Sequence, residues 1–316
     1  MLAPDAALNF ARPVPADGYA WWYLDALSDD GEHGLVIIAF IGSVFSPYYA
    51  YARRRGPTNP EHYCAINVAL KSRRQQRWAM TERGAARLAR SDEVLVIGPS
   101  ALHATADSLR IDIDEVCAPL PFRLRGRVEV QGIGPGLGPY ALDGDAAHLW
   151  QPIAPTARVT VDFTQPGARW SGHGYLDTNR GQLPLERSFR GWHWSRMRLP
   201  DGSGRLLYDV DALDGRGALL ALDIDRDGVA RHGDAPPPRV LAKSRWGIER
   251  VTRAAPDTQV DVLDTLEDAP FYARSTLRTT VAGVPSEAVH ESLSLRRFVA
   301  PWVQFMLPFR MPRSPW

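Results

Sequence analysis

The sequence predicts an all-β protein made of two related antiparallel β-barrel domains. Three observations carry that prediction. Apolar residues alternate with period two along much of the chain, Asp-Gly turn signals separate the alternating runs, and one aromatic-rich segment of the first half recurs in the second.

The alternation is clearest in Ala157–Phe163, where Val159, Val161 and Phe163 fall on one face and Arg158, Thr160 and Asp162 on the other. Residues 108–116, 123–130, 204–213 and 217–228 repeat the pattern, and the runs SDDGEHG, LDGDA, LPDGSG and LDGRG supply turns between strands. Helical periodicity is scarce, and its best candidate is the short segment Met80–Ala89. The repeat sets WWYLDALSDDGEHGLVI, from Trp21, beside WHWSRMRLPDGSGRLLY, from Trp192: an aromatic cluster, a strand, an Asp-Gly hairpin and a second apolar strand. It divides the chain near 183–190, giving domains at 1–185 and 186–316, the second with an aromatic and basic tail. Calycin-type barrels plug their closed end with first-strand aromatics, so Trp21, Trp22, Trp192 and Trp194 have core packing as one reading. The other makes Trp22, Tyr23, Trp192 and Trp194 contacts for a substrate.

Lys and Arg number 37 against 36 Asp and Glu, and the longest like-charge run is Arg53-Arg54-Arg55, so no nucleic-acid partner is expected. The basic group Lys71, Arg73, Arg74 and Arg77 reads as a solvated hairpin turn after a strand. Cys64 and Cys117 lack ligand spacing and read as small buried residues in a reducing compartment. The N-terminus shows no secretory signal, giving a cytoplasmic default. The apolar stretches 35–45 and 298–309 fall short of the roughly 20 residues that span a bilayer. In the tail, Phe298, Trp302, Phe305, Met306, Leu307 and Phe309 stand among prolines between Arg296, Arg297, Arg310 and Arg313. This pattern fits either shallow insertion at a membrane surface or packing across a barrel.

Chemistry concentrates before the domain junction. His148 and Trp150 form an H-x-W pair and Tyr175 and Asp177 a Y-x-D pair; in strands, each pair shares a face, so neighbouring strands would gather all four. An alkene is activated by protonation, which needs a carboxylic acid kept neutral near pH 7, and burial among aromatic rings acts in that direction. Asp177 is the candidate acid, Trp150 and Tyr175 would face the resulting cation, and His148 would position water, accept its proton or return one to Asp177. Taken alone, Asp177 also reads as a turn residue and His148 as a hydrogen-bonded core histidine. The run GIGPGLGPY has no following helix start and reads as a loop rather than a dinucleotide cradle. No nucleophile elbow surrounds Ser43 or Ser171, and the histidines at 148, 173 and 193 lack zinc-like spacing, so no metal is expected.

The long strings ADGYAWWYLDALSDDGEHGLVIIAFIGSVFSPYYAYARRRG, HYCAINVAL, RWAMTERG, HLWQPIAP and GYLDTNRGQLPLERSFRGWHWSRMRL resemble the acyclic carotenoid 1,2-hydratase family, also called hydroxyneurosporene synthase, over about Val14 to Arg297. The resemblance implies two lipocalin-like domains and hydration of the terminal 1,2 double bond of lycopene or neurosporene to a tertiary alcohol, without cofactor or metal. It implies work on a pigment dissolved in membrane, with water as co-substrate and peripheral association with the membrane surface. Its HLW and GYLD strings match at His148, Trp150, Tyr175 and Asp177. Two other functions remain open within the same two-lipocalin group: a non-catalytic carrier of a hydrophobic ligand and a polyene cyclase.

Overall fold

In the computed structural model, residues 8–73, 75–281 and 283–314 are described; Arg74 and the first seven residues lie outside them. The alternating runs become strands for the expected reason. In Ser108–Val116, Leu109, Ile111 and Ile113 are buried, whereas Arg110, Asp112 and Asp114 turn outward. There Arg127 and Arg123 of the neighbouring strand pair with Asp112 and Asp114.

The chain folds as two compact units. One holds residues to Tyr140, His148–Pro184 and the chain from Phe305; the other holds Ala141–Ala147 and Leu185–Gln304. The strands of the first are β1 (Tyr19–Ser28), β2 (His33–Ile41), β3 (Cys64–Ser72), β4 (Gln76–Arg83), β5 (Leu88–Arg90), β6 (Val94–Ile97), β7 (Ser100–Ala104), β8 (Ser108–Val116), β9 (Arg123–Gln131), the short β10 (Tyr140–Ala141), β11 (His148–Gln165) and β12 (Ala168–Gly181). They follow the order β4-β3-β2-β1-β12-β11-β9-β8-β7-β6-β5 in an almost closed antiparallel barrel, with β10 paired to β11. Trp22, Leu24, Ile37, Ile66, Ile111, Val128, Val159, Val161 and Phe163 fill its interior. The terminal strands β4 and β5 do not pair. Instead a buried ion pair, Arg83 to Glu115 at 2.7 Å, ties β4 to β8, and the Ser100 hydroxyl donates to the other Glu115 oxygen at 2.8 Å.

The strands of the second unit are β13 (Phe189–Arg198), β14 (Gly204–Ala212), β15 (Leu219–Ile224), β16 (Ala230–His232), β17 (Pro238–Leu241), β18 (Arg250–Arg253), β19 (Asp261–Ala269), β20 (Tyr272–Val281) and β21 (Val284–Ser294). Seven run in the order β16-β15-β14-β13-β21-β20-β19, and β17 pairs with β18. Met197, Leu207, Ala221, Leu277 and Ala288 form an apolar cluster, beside which His290 bonds Ser195 at 2.8 Å and Ser292 at 3.1 Å. The fold is all-β, as expected, and the sequence repeat is a repeat of topology. β1 lies between its hairpin partner β2 and the last strand β12, as β13 lies between β14 and the last strand β21.

The helix expected at Met80–Ala89 is absent. Residues to Arg83 belong to β4, paired with β3 in the register Val68 to Ala79; a single 3₁₀ turn at Ala85–Arg87 follows, then β5. Burying Ala79 and Met80 through sheet pairing overrides a modest helix propensity. Short helices α1 (Pro47–Arg53), α2 (Leu185–Ser188) and α3 (Leu295–Phe298) accompany the strands, and the tail forms α4 (Pro301–Arg310). Val303 and Leu307 are the buried side of α4, while Trp302, Phe305, Met306 and Phe309, at i, i+3, i+4 and i+7, are exposed. Both cysteines are buried and unpaired, and burial pushes the Cys64 thiol up to about 12.

Candidate active site

Period two divides the three adjacent strands β1, β12 and β11 into two faces. Trp22, Leu24 and Leu176 enter the barrel interior. Tyr19, Trp21, Tyr23 and Asp25 of β1, Tyr175, Asp177 and Asn179 of β12, and His148 and Trp150 of β11 share the opposite face. The registers set Tyr23 opposite Asp177, Asp25 opposite Tyr175, and both Trp21 and Trp150 opposite Asn179. All nine side chains are buried.

Asp177 is the centre of this group. Its Oδ2 accepts from Trp150 Nε1 at 2.7 Å and from the Tyr175 hydroxyl at 2.8 Å, and its Oδ1 accepts from Asn179 Nδ2 at 3.3 Å. Trp150 Nε1 also reaches Tyr175 Oη at 3.2 Å. A buried carboxyl is tolerable only with such partners, and here they fix both of its oxygens. Tyr-Leu-Asp occurs twice, at 23–25 and 175–177, and the antiparallel register sets the copies head to tail. In the copy at 23–25 the Tyr23 hydroxyl donates to Asp25 Oδ2 at 3.2 Å, and the Tyr23 and Tyr175 rings lie 6.3 Å apart.

His148 occupies the end of the face. Its Nδ1 bonds Tyr19 Oη at 2.9 Å, and its ring stacks on Tyr19, which stacks on Trp21 at 4.8 Å. His148 pairs with Gly181, four residues from Asp177, or about 13 Å along the strand. Gly181 is required there, because a Cβ would stand 2.4 Å from the Tyr19 ring and 2.6 Å from His148 Nδ1.

The structure therefore brings Trp150, Tyr175 and Asp177 into direct contact, with Tyr23 across the register and His148 further along the same face. It does not bring Trp22 into the group: that ring packs edge-on against Phe10 at 4.9 Å inside the barrel. Trp192 and Trp194 lie in the second unit, on the face of β13 turned away from Met197 and Ser195, with Trp192 edge-on to Tyr208 at 6.3 Å. Sequence reasoning passed over Asp25 and Asn179. Asp25 was marked by the repeated Tyr-Leu-Asp string; Asn179 was marked only by standing two residues from Asp177 in a strand. Among the described residues, no three His, Cys, Asp or Glu side chains form a metal-binding group.

The sequence profile of the family described as carotenoid hydratase CrtC matches residues 37–316. The chain belongs to the carotenoid hydratase family. Relatives named acyclic carotenoid 1,2-hydratase include that of Thiocapsa roseopersicina, 51% identical over 98% of this chain and 76% of that one. The protein of that name from Rubrivivax gelatinosus is 45% identical over 97% and 76%, and that of Cereibacter sphaeroides is 42% identical over 88% and 98%. The hydratase is thus an enzyme of the hydro-lyase class. Its fold matches the crystal structure of an AttH protein from Nitrosomonas europaea, with a TM-score of 0.64 at 17% identity over 92% of this chain and 98% of that one. It also matches kievitone hydratase from Nectria haematococca, with a TM-score of 0.56 at 9% identity over 93% of each chain.

Proposed function

We propose that this hydratase adds water across the terminal C1–C2 double bond of an acyclic carotene, lycopene or neurosporene, by acid-initiated chemistry that needs no cofactor. The observation that carries the reading is Asp177, a buried carboxyl held by an indole N–H and a phenol among aromatic rings. The names of the relatives support the substrate class. In this scheme protonated Asp177 gives its proton to C2, the less substituted alkene carbon, and leaves a tertiary cation at C1. Trp150 and Tyr175 stabilise that cation through their ring faces, at roughly 0.5–2 kcal/mol each. Water then adds at C1, and its surplus proton returns to the Asp177 carboxylate, closing the cycle. The Tyr175 and Trp150 donors steady the carboxylate formed in between. His148, engaged by Tyr19 at the far end of the face, shapes the site rather than serving Asp177 directly.

A substrate dissolved in lipid calls for access to a membrane, and the outer face of α4 supplies a surface for it. Trp302, Phe305, Met306 and Phe309 are exposed, Trp302 stacks on the exposed Trp246 at 6.2 Å, and Arg297 lies over Trp302 at 5.8 Å. Aromatics with adjacent cations suit the headgroup boundary of an anionic bilayer. Among the described residues no helix is long and apolar enough to cross one.

The test is incubation with lycopene in liposomes made up in deuterium oxide, beside Asp177→Asn, with products read by mass spectrometry. The expected product from the unaltered enzyme is a tertiary alcohol carrying carbon-bound deuterium at the adjacent position, absent with Asp177→Asn. Equal product from the variant removes Asp177 as the acid. Lycopene bound by both proteins but converted by neither makes the protein a carrier.

A further inference from the structure

We propose that Asn179 holds the water molecule that becomes the new hydroxyl group, an inference resting on the acid-initiated reading above. Asn179 stands two residues from Asp177 on the same face of β12, directly opposite Trp21 on one side and Trp150 on the other. It is 3% exposed. Its Nδ2 donates to Asp177 Oδ1 at 3.3 Å, while its Oδ1, equally buried, has no hydrogen-bond partner among the described residues.

An unmet amide oxygen in such a place costs about 1–3 kcal/mol, and native folds keep few of them. In the ionised state of Asp177, turning the amide round does not relieve it, because the amide oxygen would then face a carboxylate oxygen. The orphan acceptor lies within one amide group of the proposed acid and between two indoles. The guest it suits is therefore small and donates hydrogen bonds. Water qualifies, since a buried water needs at least two polar partners and the Asn179 oxygen and the Asp177 carboxyl provide them.

The placement completes the reaction. The proton leaves Asp177 as the alkene π pair forms the C2–H bond, and the positive charge appears at C1. A lone pair of the water held on Asn179 Oδ1 forms the C1–O bond. The oxonium then loses one proton to the Asp177 carboxylate, so alkene plus water gives alcohol and the acid is restored. The hydrogen bond from this water to Asn179 strengthens as the water becomes cationic, which is when it lowers the barrier.

The deuterium oxide assay can separate protonation from water capture, because a cation that captures no water returns a proton and leaves deuterium in the recovered carotene. In Asn179→Ala the ratio of alcohol to deuterated carotene should fall at least tenfold, and in Asn179→Ser, which keeps an acceptor oxygen, it should be intermediate. The ratio is internal to each sample, so loss of folded protein does not change it. An unchanged ratio in both variants overturns the assignment and leaves Asn179 as a support for Asp177 alone. Failure of the acid reading looks different: Asp177→Asn would then still form alcohol and deuterated carotene, whatever the Asn179 variants do.

Discussion

Replacing Tyr175 by phenylalanine removes one oxygen from the centre of the site and leaves the ring, so its effect can be worked out from few contacts. The hydroxyl donates to Asp177 Oδ2 at 2.8 Å and receives the longer branch, 3.2 Å, of the Trp150 N–H bond. In Tyr175→Phe, Asp177 Oδ2 keeps Trp150 at 2.7 Å and Oδ1 keeps Asn179, while Trp150 keeps Asp177, so neither neighbour is orphaned. The ring still fills its place, so no cavity term arises. The stability cost is then the net value of one hydrogen bond, about 1 kcal/mol with Asp177 neutral. The cost to the reaction is larger. Proton transfer leaves a carboxylate, to which a donor is worth about 1.5–3 kcal/mol against about 1 for the neutral acid, so turnover should fall by the difference, roughly 2- to 30-fold. Loss of that donor favours the protonated carboxyl, so the alkaline limb of the pH–rate profile should move to higher pH. Urea unfolding and hydration rates across pH 6–9 measure all three quantities. Turnover within twofold of the unaltered enzyme, or a stability loss above about 3 kcal/mol without a shift of the alkaline limb, would refute the assigned role.

Two further outcomes follow from other parts of the molecule. Burial between Ser195 and Ser292, next to His193 and Arg250, lowers the His290 pKa to about 3. Below its ordinary value near 6.5 the unfolded chain binds a proton that the folded one refuses, so stability is whole above pH 6.5 and declines as pH falls toward 3. Between pH 7.5 and pH 5 the enzyme should lose about 2 kcal/mol more than His290→Gln in urea titrations; equal losses would place the acid sensitivity elsewhere. On α4, the double change Phe305→Ser and Phe309→Ser should reduce co-flotation with anionic liposomes at least tenfold while leaving the melting temperature within a few degrees, since both rings are exposed. Undiminished flotation would put the membrane contact on another surface.

How much of this was legible beforehand depended on the range of the interaction concerned. Strands such as Ser108–Val116 and the interior face of Val159, Val161 and Phe163 could be read from alternation, because burial of one sheet face imposes period two on the sequence itself. The shared face of Trp150, Tyr175 and Asp177 followed from the same period. Met80–Ala89 misled because its apolar spacing fits either structure, and only pairing with β3 decides between them. Trp22 and Tyr23 show the limit most plainly. Either could have faced the substrate, and which one enters the barrel interior is decided by the β1 register against β2 and β12.

What the sequence by itself determined was the all-β class, the duplicated aromatic-hairpin unit, the family, and the face that Trp150, Tyr175 and Asp177 share, all properties of short segments. Tertiary structure alone decided that Tyr23 and Asp25 lie opposite Asp177 and Tyr175, and that the His148 ring meets Tyr19. These rest on which strand lies beside which and in what register, contacts between residues more than a hundred positions apart that no local pattern encodes.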